Sequence, residues 1–269
     1  MESTEVSFSP KDVMTLRQKT GLGMMDCKKA LAQTNGDMAA AEEWLRAQRK
    51  GKMDTRTERT TGEGRIGIAI SGSKAAIVEV RTETDFTAKN DGFVAMTTDV
   101  ANEAVKLPTG EIAGPNDAMT KRIDDLRITT GENVNLARGV VLEGGNFGAY
   151  VHHDGKRAAL IQIEGSADAE TLKGICQHIV FHDPLGISEA DVPADKLSQI
   201  QHDAVEEAKQ SGKPEQIAQK IAEGKVRKYL EDNTLLHQKY VLDESKTIKE
   251  LLPKGVAIKR FVRYTLGTD

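Results

Sequence analysis

A carboxylate and an aromatic ring lie side by side at Asp85 and Phe86, within the polar segment 84–90. This segment directly follows the alternating run 75–80, which is typical of a strand. Because its neighbours are polar, we expect the Phe86 ring to enter the apolar core of a partner, where burial contributes roughly 1.5–3 kcal/mol. The alternative is that Phe86 covers its own domain as a hydrophobic staple while Asp85 is an ordinary helix N-cap.

Two histidine pairs are further candidates for chemistry. His178 and His182 lie four residues apart on a predicted helix and could share a metal ion. No glutamate occupies the general-base position of a zinc protease and no third ligand is evident, so the pattern favours a structural pair. His152 and His153 lie at a predicted hairpin tip, where successive side chains point to opposite faces, so at most one of them faces a given partner.

The two cysteines and the glycine-rich segments complete no reaction centre. Cys27 and Cys176 lie on apolar helical faces without an adjacent base, which is typical of core thiols. The chain has no phosphate loop ending in Gly-Lys-Ser or Gly-Lys-Thr, and segment 144–148 lacks the spacing of a dinucleotide site. We therefore expect no cofactor, no metal and no direct nucleotide binding, and a binding protein instead of an enzyme.

The composition indicates a globular protein whose main partner is another protein. The chain has 269 residues, 38% of them hydrophobic and 29% charged, which is enough for about two domains. A formal net charge of -4 argues against a nucleic-acid backbone as the main partner, because such binding needs clustered positive charge. Two distant cysteines, an acidic start without a targeting pattern and no membrane-spanning stretch predict a cytoplasmic protein with no membrane contact.

Residues 9–50 are predicted to form three short helices. Ser9 and Pro10 open the first helix, Asp26 is the expected cap of the second, and Asp37 is the expected cap of the third. This compact module resembles a ubiquitin-associated domain, whose size suits docking on a partner.

Residues between Arg49 and Gly64 show no apolar period and are interpreted as a linker. Interleaved acidic residues favour a solvated linker, although its positive charges could also contact RNA. The basic residues concerned are Arg46, Arg49, Lys50, Lys52, Arg56 and Arg59.

A duplicated unit organises the rest of the chain. Residues 155–163 match residues 72–80 type for type at a constant offset. At that offset Phe86 corresponds to Ala169, which indicates that the second unit folds without an aromatic there. The aligned core positions of the following helices stay apolar: Phe93 with Cys176, and Met96 with Ile179.

The pattern predicts strands and helices in the following order. The first unit has a hairpin of 65–71 with 75–83, a helix 92–105 capped by Asp91, a helix 117–129 and a strand 134–142. The second has strands 147–152 and 158–163 and a helix 169–181. Residues 188–230 form a helical hairpin with a narrow seam of Leu197, Ile200, Ala204, Ala208, Ile217, Ile221, Val226 and Leu230. Residues 240–242, a helix 246–252 and a strand 256–266 return to the second sheet.

The fold class is therefore α+β, with an N-terminal three-helix module like a ubiquitin-associated domain, two related α+β core subdomains with antiparallel sheets, and an inserted helical hairpin. The predicted boundaries are 1–50 for the module, 51–63 for the linker, 64–142 for the first core subdomain, 143–186 with 233–269 for the second, and 187–232 for the hairpin.

Two long segments in this order, 16–31 and 84–90, resemble the signature segments of translation elongation factor Ts. The resemblance continues through residues 131–133, 211–214 and 260–264 and so covers nearly the whole chain. It implies a guanine-nucleotide exchange factor whose partner is the GTPase elongation factor Tu, in its nucleotide-free or GDP form. A homodimer through the core or the hairpin is a further candidate assembly.

The resemblance also implies which residues bind the GTPase. Asp85 and Phe86 are inserted next to its Mg²⁺ and phosphate site, and Thr87 departs from the valine common after that phenylalanine. The remaining partner-binding residues implied are Thr84, Lys89, Asn90, Met24, Met25 and His152. The physical hypothesis is that the Phe86 ring acts as a wedge while the Asp85 charge disfavours the phosphate-bound arrangement.

Two other classes of function stay open on the sequence. A ubiquitin-binding adaptor would use the N-terminal module alone and leave Asp85 and Phe86 without a role. An RNA-binding or ribosome-associated factor would use the basic residues of the linker and would bind with a steep salt dependence. An enzyme is the least favoured class, because no base and nucleophile are paired.

Overall fold

The computed structural model describes residues 8–268, apart from the side chain of Met53. Contacts divide it into two compact units, one of residues up to 67 with 78–140 and the other of residues 68–77 with 141–268. Helices and strands occur in both units, the strands of the second unit pair antiparallel, and the α+β fold class is confirmed. The domain boundaries given above remain a prediction.

The first unit begins with three helices, α1 (Pro10–Thr20), α2 (Met24–Gln33) and α3 (Met38–Asp54). Ser9 caps α1 in a capping box, and α1 ends at Gly21, whose φ of 69° suits a residue without Cβ. A small apolar core that includes Leu16, Leu31 and Leu45 holds the three helices together.

Two details of this module differ from the prediction. Asp26 does not cap α2, because Gly23 occupies the N-cap position and Asp26 lies in the first turn, where it accepts a 2.9 Å hydrogen bond from Arg49. The third helix also continues to Asp54, into the segment interpreted as a linker. The Asp37 cap is confirmed, since its carboxylate accepts from the Ala40 N–H at 3.0 Å.

A four-stranded sheet and its accompanying helices come next along the chain. The elements are β1 (Glu63–Ser71), β2 (Lys74–Thr82), α4 (Asp85–Lys89), α5 (Asp91–Ala104), β3 (Gly110–Glu111), α6 (Asp117–Thr130) and β4 (Val134–Glu143), with the strand order β1-β2-β4-β3. The predicted Asp91 cap is wrong. Asn90 caps α5, accepting from the Gly92 N–H at 2.8 Å, because α4 ends there and directs the Asn90 side chain over the next helix.

The second unit is built on a three-stranded antiparallel sheet of β5 (Asn146–Val151), β6 (Arg157–Glu164) and β9 (Ala257–Thr265), in the order β5-β6-β9. Helix α7 (Ala169–His182) follows β6, and its apolar face forms a core with the β6 residues Ile161 and Ile163. Helix α7 also approaches β5 closely at Gly148, where a Cβ atom would lie only 2.6 Å from the Leu172 Cβ, so a glycine is required at this position.

Two long helices, α8 (Ala194–Gln210) and α9 (Glu215–Asn233), form the predicted helical hairpin. The predicted seam residues Ala204, Ala208 and Leu230 are buried, whereas the predicted Ile217 is exposed. Two alanines that were not predicted, Ala218 and Ala222, are fully buried on α9. Alanines allow the two backbones to approach more closely than a leucine or isoleucine seam would.

The segment after the hairpin also differs from the prediction. Strands β7 (Lys239–Tyr240) and β8 (Asp243–Thr247) pair with each other in a separate two-stranded sheet, and the predicted helix 246–252 is the short α10 (Ile248–Leu251). Only β9 joins the second sheet. Two 3-10 helices, Glu189–Asp191 and Leu235–His237, flank the hairpin.

Candidate partner-binding site

The Asp85–Phe86 pair lies on the single turn of α4, directly after β2. Thr84 is the N-cap of this turn, and its hydroxyl oxygen accepts from the Thr87 N–H at 3.3 Å. Thr87 and Ala88 are buried, whereas the Phe86 side chain is 84% exposed. The staple alternative is therefore excluded, because the turn is anchored by its later residues while the ring of Phe86 is left to solvent.

Glu132, just after α6, hydrogen-bonds the start of this turn. Its carboxylate accepts from the Thr84 hydroxyl at 2.6 Å, from the Thr84 N–H at 3.1 Å and from the Thr82 hydroxyl at 2.8 Å. Partial burial alone would raise the pKa of Glu132, but hydrogen bonds from Thr84, Thr87 and Thr82 outweigh it and hold that pKa below its usual value. The carboxylate is therefore ionised at neutral pH and serves only as an acceptor.

The residues next to Glu132 are held in turn by the segment after α3. Arg56 donates to the Gly131 carbonyl at 2.9 Å, and the Asn133 N–H donates to Glu83 at 2.7 Å. The Asn133 amide also donates to the backbone carbonyls of residues 57 and 59, both at 2.9 Å. Glu132 thus projects from a turn whose position is fixed independently of α4.

Asp85 carries the negative charge of the turn and is paired within it. The Lys89 ammonium donates to the Asp85 carboxylate at 2.6 Å, across one helical turn. This hydrogen bond is the main reason that the pKa of Lys89 is raised. Because both side chains are accessible to solvent, the pair is weak in water and a partner could exchange it for its own contacts.

The two methionines predicted to contact a partner open helix α2. Met24 is 49% exposed and Met25 is 76% exposed, and both follow the N-cap Gly23. Their flexible side chains are suited to an irregular protein surface. The structure therefore leaves these two predicted residues, like Phe86, available to a partner.

Most of the basic residues that an RNA-binding protein would use, which lie in the last turns of α3 and just after it, contact their own unit. Arg46 pairs with Asp125, Lys50 pairs with Asp124 at 3.0 Å, and Arg59 pairs with Glu83 at 3.4 Å. Of the remaining three, Arg49 interacts with Asp26 and the Ile128 carbonyl, Arg56 interacts with the Gly131 carbonyl, and Lys52 is exposed. These contacts fix the N-terminal module on α6 and on the turn that carries Glu132.

His152, in the second unit, lies just after β5 and is half-buried. Its Nδ1 is 2.8 Å from the Tyr150 hydroxyl, and its ring contacts Phe181 edge-on with centroids 5.5 Å apart. The expectation that His152 and His153 point to opposite faces is wrong. Their centroids are 4.2 Å apart, because strand β5 ends at Val151 and strand alternation no longer applies.

The other candidate groups have structural environments. Val241 donates its N–H to His178 Nδ1 at 3.2 Å, so that Nε2 carries the proton and donates to the Gln238 oxygen at 2.9 Å. Burial lowers the pKa of His178 to about 4 and raises that of the Cys176 thiol. Within residues 8–268 no three histidine, cysteine or acidic side chains are grouped as a metal site.

Two residues at these surfaces are not among the predicted site residues. Glu132 stands out in the sequence only as part of segment 131–133, because no local period marks a carboxylate that contacts residues about fifty positions earlier. Phe181 is 52% exposed beside His152, and Arg157 lies over its ring at 5.7 Å. Its position at the end of the predicted helix 169–181 was the available signal.

Comparisons with known proteins agree with one another. The family model described as Elongation factor TS matches residues 83–268, and the model for Elongation factor Ts, mitochondrial, N-terminal matches residues 2–52. Elongation factor Ts of Rhizobium etli is 40% identical over 256 residues, covering 88% of this chain and 82% of that protein. The Psychrobacter arcticus protein of the same name is 38% identical over 272 residues, covering 98% and 92%.

None of the helices described for residues 8–268 is both long and apolar enough to cross a membrane.

The matched residues account for more than half of the chain, and the relatives are covered over most of their length. The chain belongs to the elongation factor Ts family of translation elongation factors.

Proposed function

We propose that the chain is a guanine-nucleotide exchange factor that accelerates GDP release from elongation factor Tu. The observation that carries the proposal is the Phe86 ring, 84% exposed on a turn whose own residues Thr87 and Ala88 are buried. The partner is elongation factor Tu in its GDP or nucleotide-free form, and the chain itself binds no nucleotide and forms no covalent bond. We place this activity in the cytoplasm.

The mechanism is a competition between two ligands of the GTPase. The exchange factor binds the nucleotide-free GTPase more tightly than the GDP form, and linkage then weakens GDP binding by the same factor. The Phe86 ring acts as a wedge between elements of the GTPase. Asp85 brings its carboxylate to the Mg²⁺ and phosphate site and disfavours the arrangement that holds the nucleotide.

The other predicted residues support that contact in two ways. Thr84 and Asn90 define the two ends of the turn, as the N-caps of α4 and α5. Lys89 forms an ion pair with Asp85 until the partner is bound. Met24 and Met25 supply an adaptable second contact, and His152 contributes a third from the second unit. A homodimer through the core or the hairpin is compatible with the proposal and is not needed for it.

The contacts favour this proposal over the alternatives. A ubiquitin-binding adaptor would leave the exposed Phe86 ring without a role. An RNA-binding factor would need clustered positive charge, and Arg46, Lys50 and Arg59 each lie beside an acidic residue of their own unit that offsets their charge. Neither alternative accounts for a carboxylate placed beside an exposed ring.

The test is stopped-flow release of fluorescent GDP from elongation factor Tu. Wild type should accelerate release, Phe86→Ala should lose most of that acceleration, and Leu242→Ala, which truncates another exposed side chain, should match wild type. Absence of acceleration by wild type would end the exchange-factor proposal. Full activity of Phe86→Ala would remove the wedge alone.

A further inference from the structure

We propose that Glu132 is a positioning residue for exchange, whose carboxylate fixes the α4 turn so that Phe86 points outward. The inference rests on the proposed function, because it assigns a role within the same site. The hydrogen bonds of Glu132 go to Thr82 and Thr84, so it acts on Phe86 through the N-cap residue Thr84.

The carboxylate of Glu132 receives a set of donors that nearly fills its capacity. An ionised carboxylate has about four acceptor positions and no donor. Here it accepts from the Thr82 hydroxyl, the Thr84 hydroxyl and the Thr84 N–H, at 2.6–3.1 Å. These three donors belong to the end of β2 and to the N-cap of the turn that carries Phe86.

The α4 turn needs such support because of its length. It has five residues, Asp85–Lys89, and a helix this short does not form stably by itself in water. Its cap depends on the Thr84 hydroxyl oxygen, which accepts from the Thr87 N–H while its proton is donated to Glu132. Glu132 therefore orients the cap oxygen, and the cap orients the first turn on which Phe86 lies.

Glu132 can impose this geometry because its own position is independent of the turn. The Gly131 carbonyl accepts from Arg56 at 2.9 Å, and the Asn133 side-chain amide donates to the carbonyls of residues 57 and 59, both at 2.9 Å, so that each neighbour of Glu132 is held from outside the turn. A carboxylate fixed at both neighbours aligns a mobile turn, whereas a carboxylate on a loose loop would follow it.

The experiment measures the turn in the free protein and the exchange rate with elongation factor Tu. The variants are Glu132→Ala, the isosteric Glu132→Gln, and Glu103→Ala as a matched control that breaks a surface pair with Lys106. Amide hydrogen exchange of residues 84–88 reports the turn, and circular dichroism checks the fold. Glu132→Gln keeps the shape of the side chain and stays informative if Glu132→Ala fails to fold.

We expect Glu132→Ala to speed deuterium uptake at residues 84–88 and to lower kcat/KM for GDP release at least tenfold, equivalent to about 1.4 kcal/mol. Glu132→Gln, which replaces one acceptor by a donor, should lie between Glu132→Ala and wild type. In a Phe86→Ala background Glu132→Ala should have less than about a twofold further effect, because the two residues act through one contact.

Three results would overturn the inference: unchanged uptake at residues 84–88 in Glu132→Ala, unchanged kcat/KM, or the same fold loss with and without Phe86. A wild type that does not accelerate release defeats the proposed function and this inference with it. That result differs from failure of the inference alone, in which wild type is active and Glu132→Ala equals it.

Discussion

Replacing Phe86 by alanine should separate the role of this ring in folding from its role in exchange. The ring is 84% exposed, so only about a sixth of its surface is removed from water in the free protein. Full burial of a phenylalanine is worth about 1.5–3 kcal/mol, so the loss of stability should be at most about 0.5 kcal/mol. The higher helix propensity of alanine offsets part of that loss.

Phe93 provides the matched contrast, because it is the same residue type seven positions later and is fully buried on α5. Phe93→Ala leaves a cavity in the core of the first unit and should cost about 3–5 kcal/mol. Urea unfolding followed by circular dichroism measures both variants. The midpoint of Phe86→Ala should stay close to that of wild type, while that of Phe93→Ala should fall clearly.

The exchange assay should give a large effect for Phe86→Ala despite this unchanged stability. If the ring becomes buried in the GTPase, its loss removes about 1.5–3 kcal/mol of binding, or about 10- to 150-fold in kcat/KM. A loss of stability above about 1.5 kcal/mol in Phe86→Ala would refute the reasoning, because the ring would then be packed within its own protein. Unchanged exchange would refute it equally.

Three further predictions test other parts of the structure. Asp85→Asn should lower kcat/KM for GDP release several-fold, and the loss should vary with Mg²⁺ concentration; a loss independent of Mg²⁺ would argue against a carboxylate acting at the metal site. The pKa of His178 is about 4 in the fold and 6.5 in the unfolded chain, so its contribution to stability is complete above pH 6.5 and falls by about 3 kcal/mol towards pH 4. Urea unfolding against pH should show this fall in wild type, and an equal fall in His178→Gln would contradict the assignment. Ala222→Leu should overpack the helical hairpin and destabilise it by about 1–3 kcal/mol in thermal unfolding, whereas no change would show a loosely packed seam.

The duplicated pattern in the sequence predicted the cores of both units well. The aligned positions Phe93 and Cys176 are both fully buried, and the glycines that open the matching segments, Gly72 and Gly155, both have positive φ. Type-for-type repetition preserves the volume and turn chemistry that a fold needs, so these features can be derived from the residues alone.

Features set by distant contacts could not be predicted in the same way. Helix α3 continues to Asp54 because its last turns are held by Arg49 and Lys50, which contact residues of α6. Asn90 and Asp91 are both suitable caps by type, and only the end of α4 decides between them. The burial of Ala218 and Ala222 on the second helix of the hairpin likewise depends on how closely the two helices approach, which no single-helix pattern records, whereas Ala204 and Ala208 on the first were predicted.

The site shows the same division between local and distant causes. The polar neighbours of Phe86 were enough to predict an exposed ring, because exposure follows from local composition. The direction of that ring depends on Glu132, which is separated from Thr84 by the whole of α5 and α6. A sequence pattern can therefore identify the residue that contacts a partner without identifying the second residue that orients its side chain.

Fixing the turn before binding has a consequence for the energetics of exchange. An exposed phenylalanine on a flexible loop would lose part of its binding energy to ordering the loop on the partner, at about 0.5–1.5 kcal/mol for each side chain immobilised. The hydrogen bonds to Glu132 place that ordering cost in folding instead, so more of the binding energy remains to oppose GDP. By linkage, each 1.4 kcal/mol retained in this way weakens GDP binding about a further tenfold, which is why a carboxylate that never contacts the GTPase should affect the rate of nucleotide release.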